Sequence, residues 1–348
     1  MIVALDTRPL HNQSATRGIG VYTSSLLSHL KKIPNLQITE LTQGRIPEGI
    51  DLIHYPWFDL YFRTLPMPQT IPTILTIHDV TPLILKDLYP SGIKGWLNFQ
   101  FQKRALKKID AIVCDSECTT NDVIQNLPVR PEIVSTVYLA PQSGLITHPT
   151  TELKQAVITK YHLYDPYVLY VGDVNRNKNL ITLVQSCISL GINLVIVGKQ
   201  AVKTDYDHHH IENLDLVTLQ HQFGKHPGVK RLGFVPTEEL SAIFNLASVY
   251  CQPSIYEGFG VTVVEAMTCG CPVIATKRGS LPEIGGSAAI YTEPEESKIT
   301  KAIKFVLELS EAQRNRLIQE GRHQAKKFTW EQATRETYEI YKRCLNHH

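Results

Sequence analysis

Short apolar runs closed by a polar residue or a glycine recur along this chain: IVALD, DLIHYP, PTILTIHD, AIVCDS, YVLYVGD, INLVIVGK, SVYCQPS, PVIATK and AAIYTEP. Such runs offer no polar face to water, so they read as strands covered on both sides. Between most of them lie segments whose apolar residues return every three or four positions, among them 19–30, 96–106, 180–190 and 299–309. Strand and helix in alternation predict right-handed βαβ units around parallel sheets. The series runs twice: it starts at Met1, weakens in YLAPQSGLITHPTTEL, rich in Pro, Thr, Ser and Gly, and restarts at Tyr167. We therefore expect an α/β chain of two domains, residues 1–148 and 149–329, followed by a closing helix over 330–348. In that helix Trp330, Ala333, Thr337, Tyr341 and Leu345 share a side, with Tyr338 and Ile340 beside them, a surface for docking on a neighbour rather than a cofactor box. With 348 residues the chain is long enough for two cores.

The charges nearly cancel, 35 Lys and Arg against 33 Asp and Glu, so no global field gathers nucleic acid and any anion site must be local. The opening MIVALD lacks the basic start and length of a signal peptide, and no apolar window is long enough to span a membrane. Seven cysteines, an odd number without a CxxC pair, argue against a zinc or redox site and for a reduced, cytoplasmic protein. The consecutive His208, His209 and His210 cannot converge on one ion and read as a solvated loop, so no metal is expected. IKGWLNFQFQKRALKK mixes aromatics with Lys103, Arg104, Lys107 and Lys108. That mixture suits peripheral contact with an anionic membrane face; the plainer alternative is a helix packed on its sheet with a solvated basic end.

The chemistry concentrates in SIYEGFGVTVVEAMTCGCPVIAT, residues 254–276. A strand runs into Gly258-Phe259-Gly260 and a helix follows, so the glycines stand at a helix N-terminus, where unpaired N–H groups and the helix dipole favour a phosphate. Glu257 and Glu265 flank that position and are placed to accept hydrogen bonds from sugar hydroxyls. With EAMTCGCPVIATKRGSLPEI behind it, the stretch resembles the retaining glycosyltransferases of family 4. The resemblance implies the GT-B fold, two facing Rossmann-like domains with parallel sheets and a last helix crossing back to the first domain. It implies that Glu257 holds hydroxyls of the donor sugar and Glu265 the ribose diol, with Gly258, Phe259, Gly260 and Val261 lining phosphate and sugar.

The same resemblance bears on four other stretches. In YVLYVGDVNRNKNLITLV, Gly172 opens a loop in which Lys178 stands where the family has a diphosphate-binding Lys; Asp173 replaces the usual Arg, leaving Arg176 to supply the second charge. In PTILTIHD, His78 follows a strand and by resemblance lies against donor sugar and acceptor. RGIGVYT places Gly18 and Gly20 before the first helix; as a dinucleotide fingerprint it fails, because Thr23 occupies the third glycine position, and by resemblance it is a loop over the donor phosphates. RLGFVPTEEL gives a strand, a helix capped by Thr237, and backbone contact with the base at Gly233, Phe234 and Val235.

The function expected is metal-independent transfer of a hexose from a nucleotide-diphosphate sugar, such as GDP-mannose or a UDP-hexose, to a glycan or lipid-linked acceptor, with no separate cofactor. His78, Arg176, Lys178 and Glu257 are the expected catalytic set. An epimerase, phosphorylase or hydrolase of the same fold, a non-catalytic nucleotide-sugar binder and an NAD-dependent oxidoreductase are the rivals. The default site is the cleft between the two domains.

Overall fold

A computed structural model describes residues 1–12, 18–42, 46–66 and 70–346, so the closing His347 and His348 lie outside it. The chain divides into two compact units, one formed by Met1–Gln142 with Phe328–His348 and the other by Ser143–Lys327.

In the first unit β1 (Ile2–Asp6) leads to α1 (Gly18–Leu30), β2 (Gln37–Leu41), β3 (Leu52–Tyr55) and β4 (Thr73–Ile77). A short α2 (Thr81–Ile84), α3 (Gly92–Leu106), β5 (Ala111–Cys114), α4 (Glu117–Asn126) and β6 (Val134–Thr136) follow. The six strands pair in parallel in the order β2-β1-β3-β4-β5-β6. Gly18 and Gly20 belong to the first turn of α1 rather than to a loop ahead of it, a correction to the sequence reading. The apolar periodicity of Ile19 and Tyr22 carries the helix back through both glycines, which the sequence reading placed in a loop before it.

The second unit contains α5 (Thr151–Tyr161), β7 (Tyr167–Val171), α6 (Leu180–Leu190), β8 (Asn193–Val197), α7 (Leu214–Phe223) and β9 (Val229–Gly233). It continues with α8 (Thr237–Leu246), β10 (Val249–Gln252), α9 (Val261–Thr268), β11 (Val273–Thr276), α10 (Leu281–Gly285), β12 (Ile290–Thr292), α11 (Glu296–Leu307) and α12 (Glu311–Ala325). Its parallel sheet has the order β12-β11-β10-β7-β8-β9. Counted from the unit's own first strand this is the dinucleotide-fold order, third, second, first, fourth, fifth, sixth, whose direction reverses between β7 and β10. Thr237 is the first residue of α8, not its cap: Pro236 holds the cap position, its fixed φ suiting a helix start.

The chain then returns. The last helix, α13 (Trp330–Asn346), buries Trp330, Ala333, Ile340, Tyr341 and Cys344 in the first unit against Val3, Leu5, Leu26 and Leu52. The docking side read from its spacing is thus the side it buries, except that Cys344 lies deeper than Leu345. None of the seven cysteines is in a disulfide, and six are buried.

Candidate active site

Where the second sheet changes direction, the loops after β7 and β10 leave neighbouring strands on opposite sides of a crevice, the place where such sheets bind ligands. The two loops are stitched together. The Ile255 amide donates to the Asn177 carbonyl at 2.7 Å, Asn177 Nδ2 donates to the Tyr256 carbonyl at 3.2 Å, and Asn179 Nδ2 donates to the Pro253 and Pro294 carbonyls at 3.0 and 2.8 Å. Asn179 adopts the left-handed conformation that asparagine tolerates, which ends the short turn over Arg176–Lys178 and starts α6.

Lys178 and Glu257, named from different stretches of sequence, meet across these loops. Lys178 Nζ lies 2.8 Å from each carboxylate oxygen of Glu257, and that carboxylate, in a residue 6% exposed, also accepts from Gln252 Nε2 and Ser254 Oγ, both at 2.6 Å. Behind Gln252 the Tyr250 hydroxyl completes the chain by bonding to Gln252 Oε1 and, at 2.7 Å, to Thr262 Oγ1. The Glu257 carbonyl is held as well, accepting from the Ser280 amide at 3.0 Å and Ser280 Oγ at 3.1 Å. Gly279, with φ of +56°, lies so close to that backbone that a Cβ would overlap it. A buried carboxylate with this many donors stays oriented, with its remaining lone-pair capacity pointed rather than averaged.

Gly260 is the cap of α9 at φ +85°, a conformation that favours glycine, and a Cβ there would stand 2.7 Å from Leu281 Cδ2. Val261 begins the helix, Gly258 and Phe259 are buried just ahead of it, and Glu265 lies one turn on, 5% exposed. The helix N-terminus read from GFG therefore exists, with the two acids on either side of it. Gly172 follows β7, its amide donating to the Val197 carbonyl at 2.9 Å, and just past the adjacent β8 a Cβ on Gly198 would overlap the Gly172 carbonyl, so these two backbones approach closely only because Gly198 has no side chain.

Other members of the expected set lie on neighbouring elements. Arg176 shares the turn with Lys178, yet its charge acts on Asp215 in the first turn of α7, opposing the rise that burial gives that carboxyl. Phe234 and Val235 follow β9, three strands from β10, a lateral offset of about 14 Å at ~4.8 Å per strand. Phe234 is exposed under Lys199 Nζ, whereas Val235 is buried.

In the first unit His78 follows β4 and has both ring nitrogens engaged, Nδ1 at 2.6 Å from Asp115 Oδ2 and Nε2 donating to the Pro56 carbonyl at 3.0 Å. Tyr22 of α1 packs edge-on to the imidazole, with ring centroids 4.7 Å apart. Burial works against the charged imidazole, but the Asp115 carboxylate outweighs it and holds His78 above its ordinary range. Asp115 itself is buried, which raises its carboxyl, and its Oδ1 has no hydrogen-bond partner. A parallel buried chain runs from Tyr341 of α13 to His54 Nδ1 at 2.7 Å, from His54 Nε2 to Thr76 Oγ1 at 2.8 Å, and from Thr76 to the Tyr22 hydroxyl at 3.2 Å.

Sequence reasoning missed Asn177, Asn179, Gly279, Ser280 and Asp115. The first two bracket Lys178 in NRNKN, and an asparagine on each side of a candidate cation is a usable signal; Asp115, at the end of AIVCD, carries none, because strands commonly close on a polar residue. Among the described residues no cluster of His, Cys, Asp and Glu is arranged to hold a metal ion, and His208, His209 and His210 lie outside regular secondary structure.

Residues 156–324 match the family described as Glycosyl transferases group 1, and residues 2–140 match that described as Glycosyltransferase Family 4. The chain is 27% identical over 276 residues to the O-antigen chain mannosyltransferase B of Escherichia coli, covering 77% of this chain and 70% of the relative. It is 25% identical over 293 residues to the serotype-specific mannosyltransferase WbdA of Escherichia coli, covering 82% of this chain but spanning about a third of that longer protein. Among solved structures it is similar in fold to the sucrose-phosphate synthase of Thermosynechococcus elongatus, with a TM-score of 0.78 at 18% identity over 100% of both chains. It is also similar to Anabaena HepE in complex with UDP-glucose, with a TM-score of 0.73 at 15% identity over 98% of this chain and 99% of that one. With one family match on each of its two sheet units, the chain is a glycosyltransferase of the GT-B fold.

Proposed function

We propose that this glycosyltransferase moves a hexose from a nucleotide-diphosphate sugar to a glycan or lipid-linked acceptor, with retention at the anomeric carbon and without a metal. One observation carries the reading: Lys178 and Glu257 converge at the switch point of the second sheet, beside the glycine-capped start of α9. Breaking the anomeric C–O bond leaves positive charge on the sugar ring and negative charge on the departing diphosphate. A cation and a helix N-terminus are fixed donors for that diphosphate, and a buried, oriented carboxylate is an acceptor for sugar hydroxyls. His78 has both ring nitrogens committed, to Asp115 and to the Pro56 carbonyl, so it is not assigned the proton transfer, and in this reading the leaving phosphate takes the acceptor proton. Because the relatives are named mannosyltransferases, we put a mannose donor such as GDP-mannose first, and the UDP-glucose in complex with HepE keeps UDP-hexoses in contention.

The test is a donor screen with and without an oligosaccharide or lipid-linked acceptor, following nucleotide release and the anomeric configuration of the product by NMR. An α-linked product from an α-linked donor supports the proposal. Inversion overturns the retaining mechanism, release at equal rates without acceptor indicates a hydrolase or epimerase, and binding without release indicates a sugar-nucleotide binder.

A further inference from the structure

We infer that the outer face of α3 is a docking surface for a lipid bilayer bearing anionic headgroups. The inner face of this helix, Gly95, Phe99, Gln102, Ala105 and Leu106, is buried on the first unit. An amphipathic helix of a sheet protein should be polar outside, and α3 is not. Ile93, Trp96 and Leu97 project outward with exposures of 83%, 54% and 53%. The segment after β3 adds Phe62 at 69%, secured along α3 by Asn98 Nδ2 donating to the Tyr61 carbonyl at 2.8 Å and Gln102 Nε2 to the Phe62 carbonyl at 2.9 Å. Four of the ten large apolar side chains exposed among the described residues thus belong to one helix and the segment packed on it, more than scattered surface apolarity explains.

Charge selects the occupant. Between Asp87 and Asp110 the chain carries five cations, Lys94, Lys103, Arg104, Lys107 and Lys108, and no acid, although the whole chain is nearly balanced. Arg104, Lys107 and Lys108 are exposed at the C-terminal end of the same outward stripe, and Arg63 joins it with its guanidinium over the Phe101 ring at 4.4 Å. A second copy of the chain packed face to face would set these cations against each other. An anionic bilayer meets both needs: Trp96 and its apolar neighbours enter the headgroup boundary while the cations remain at the phosphates. The helix lies on the surface, because among the described residues no helix is long and apolar enough to cross a membrane.

The full chain is sedimented with vesicles of mixed phosphatidylcholine and phosphatidylglycerol and with vesicles of phosphatidylcholine alone, while tryptophan emission is recorded. We expect binding to the mixed vesicles at least about tenfold tighter, weakened by salt, with a blue shift that Trp96→Phe abolishes without loss of binding. Trp96→Ser with Leu97→Ser, and separately Arg104→Glu with Lys107→Glu and Lys108→Glu, should each weaken binding by roughly tenfold or more. These positions are exposed, so unchanged melting temperatures serve as the folding control. Absence of binding to the mixed vesicles, equal binding by wild type and both variants, or a dimer dissolved by the serine pair, each overturns the inference.

Discussion

Glu257 is the most constrained acid of the site, and its surroundings turn a sequence expectation into a sharper one. The sequence marks Lys178 as a diphosphate cation; its bond to both Glu257 oxygens adds a structural role. Lys178→Ala should lower kcat at saturating donor by about 100- to 1,000-fold. It should also cost about 1–3 kcal/mol of stability, because Glu257 keeps Gln252 and Ser254 but loses its counter-ion, and Lys178 is partly solvated. Single-turnover kinetics and denaturant midpoints separate the two effects. Gly279→Ala places a methyl group against the Glu257 backbone in a left-handed conformation, so a loss of about 2 kcal/mol or more, with weaker donor binding, is expected in melting and titration experiments. At this scale Glu257, Glu265, Gly258, Gly260 and Lys178 stood out as candidates because their chemistry is rare beside a helix start, whereas Gly279 did not. Nor did the asparagines, since a loop asparagine ordinarily signals a turn and its carbonyl partners, Tyr256, Pro253 and Pro294, are far away in sequence.

Among the elements, α13 has the most to say about the first unit, because Tyr341 is hydrogen-bonded to a histidine on β3. Tyr341→Phe leaves His54 Nδ1 buried without that partner and should cost about 1–3 kcal/mol, read from urea unfolding. Burial holds His54 neutral, lowering it to about 3, with the His78 charge adding to the effect. Unfolded, it titrates near 6.5, so below that pH the unfolded chain binds a proton that the folded chain does not. Stability should therefore fall by about 1.4 kcal/mol per pH unit on acidification from 6.5 towards 5, a slope that His54→Asn flattens whatever its absolute stability. His78 has the opposite sign: raised by Asp115, it contributes stability that is complete below pH 6.5 and lost as pH rises through its folded value, a limb that Asp115→Asn removes. Most strands were visible as apolar runs, whereas β2 and β6 were not. Both are edges of the first sheet, and QITEL and VST are only partly buried, so packing never required a continuous apolar stretch there. Apolar periodicity likewise ran α1 through two glycines that looked like a loop.

Across the whole molecule, the duplicated alternation of strand and helix made two parallel α/β units readable, but not the strand orders, which depend on pairing between distant segments. The residues proposed to hold the nucleotide sugar, Gly172, Lys178, Glu257, Gly260 and Glu265, all belong to the second unit. Hydrogen exchange on the full chain should accordingly show GDP or UDP protecting amides at 172–182 and 254–266, with β3, β4 and α13 unchanged; equal protection in both units would contradict the assignment. The return of α13 also has a bearing on biogenesis. The first unit is assembled from the two extremes of the chain, with residues 143–327 between them. At roughly 5–20 residues per second a ribosome takes about 10–40 s to make that interval. For that time the nascent amino-terminal sheet waits with the seat of Trp330 and Tyr341 uncovered, a natural moment for a chaperone to hold it.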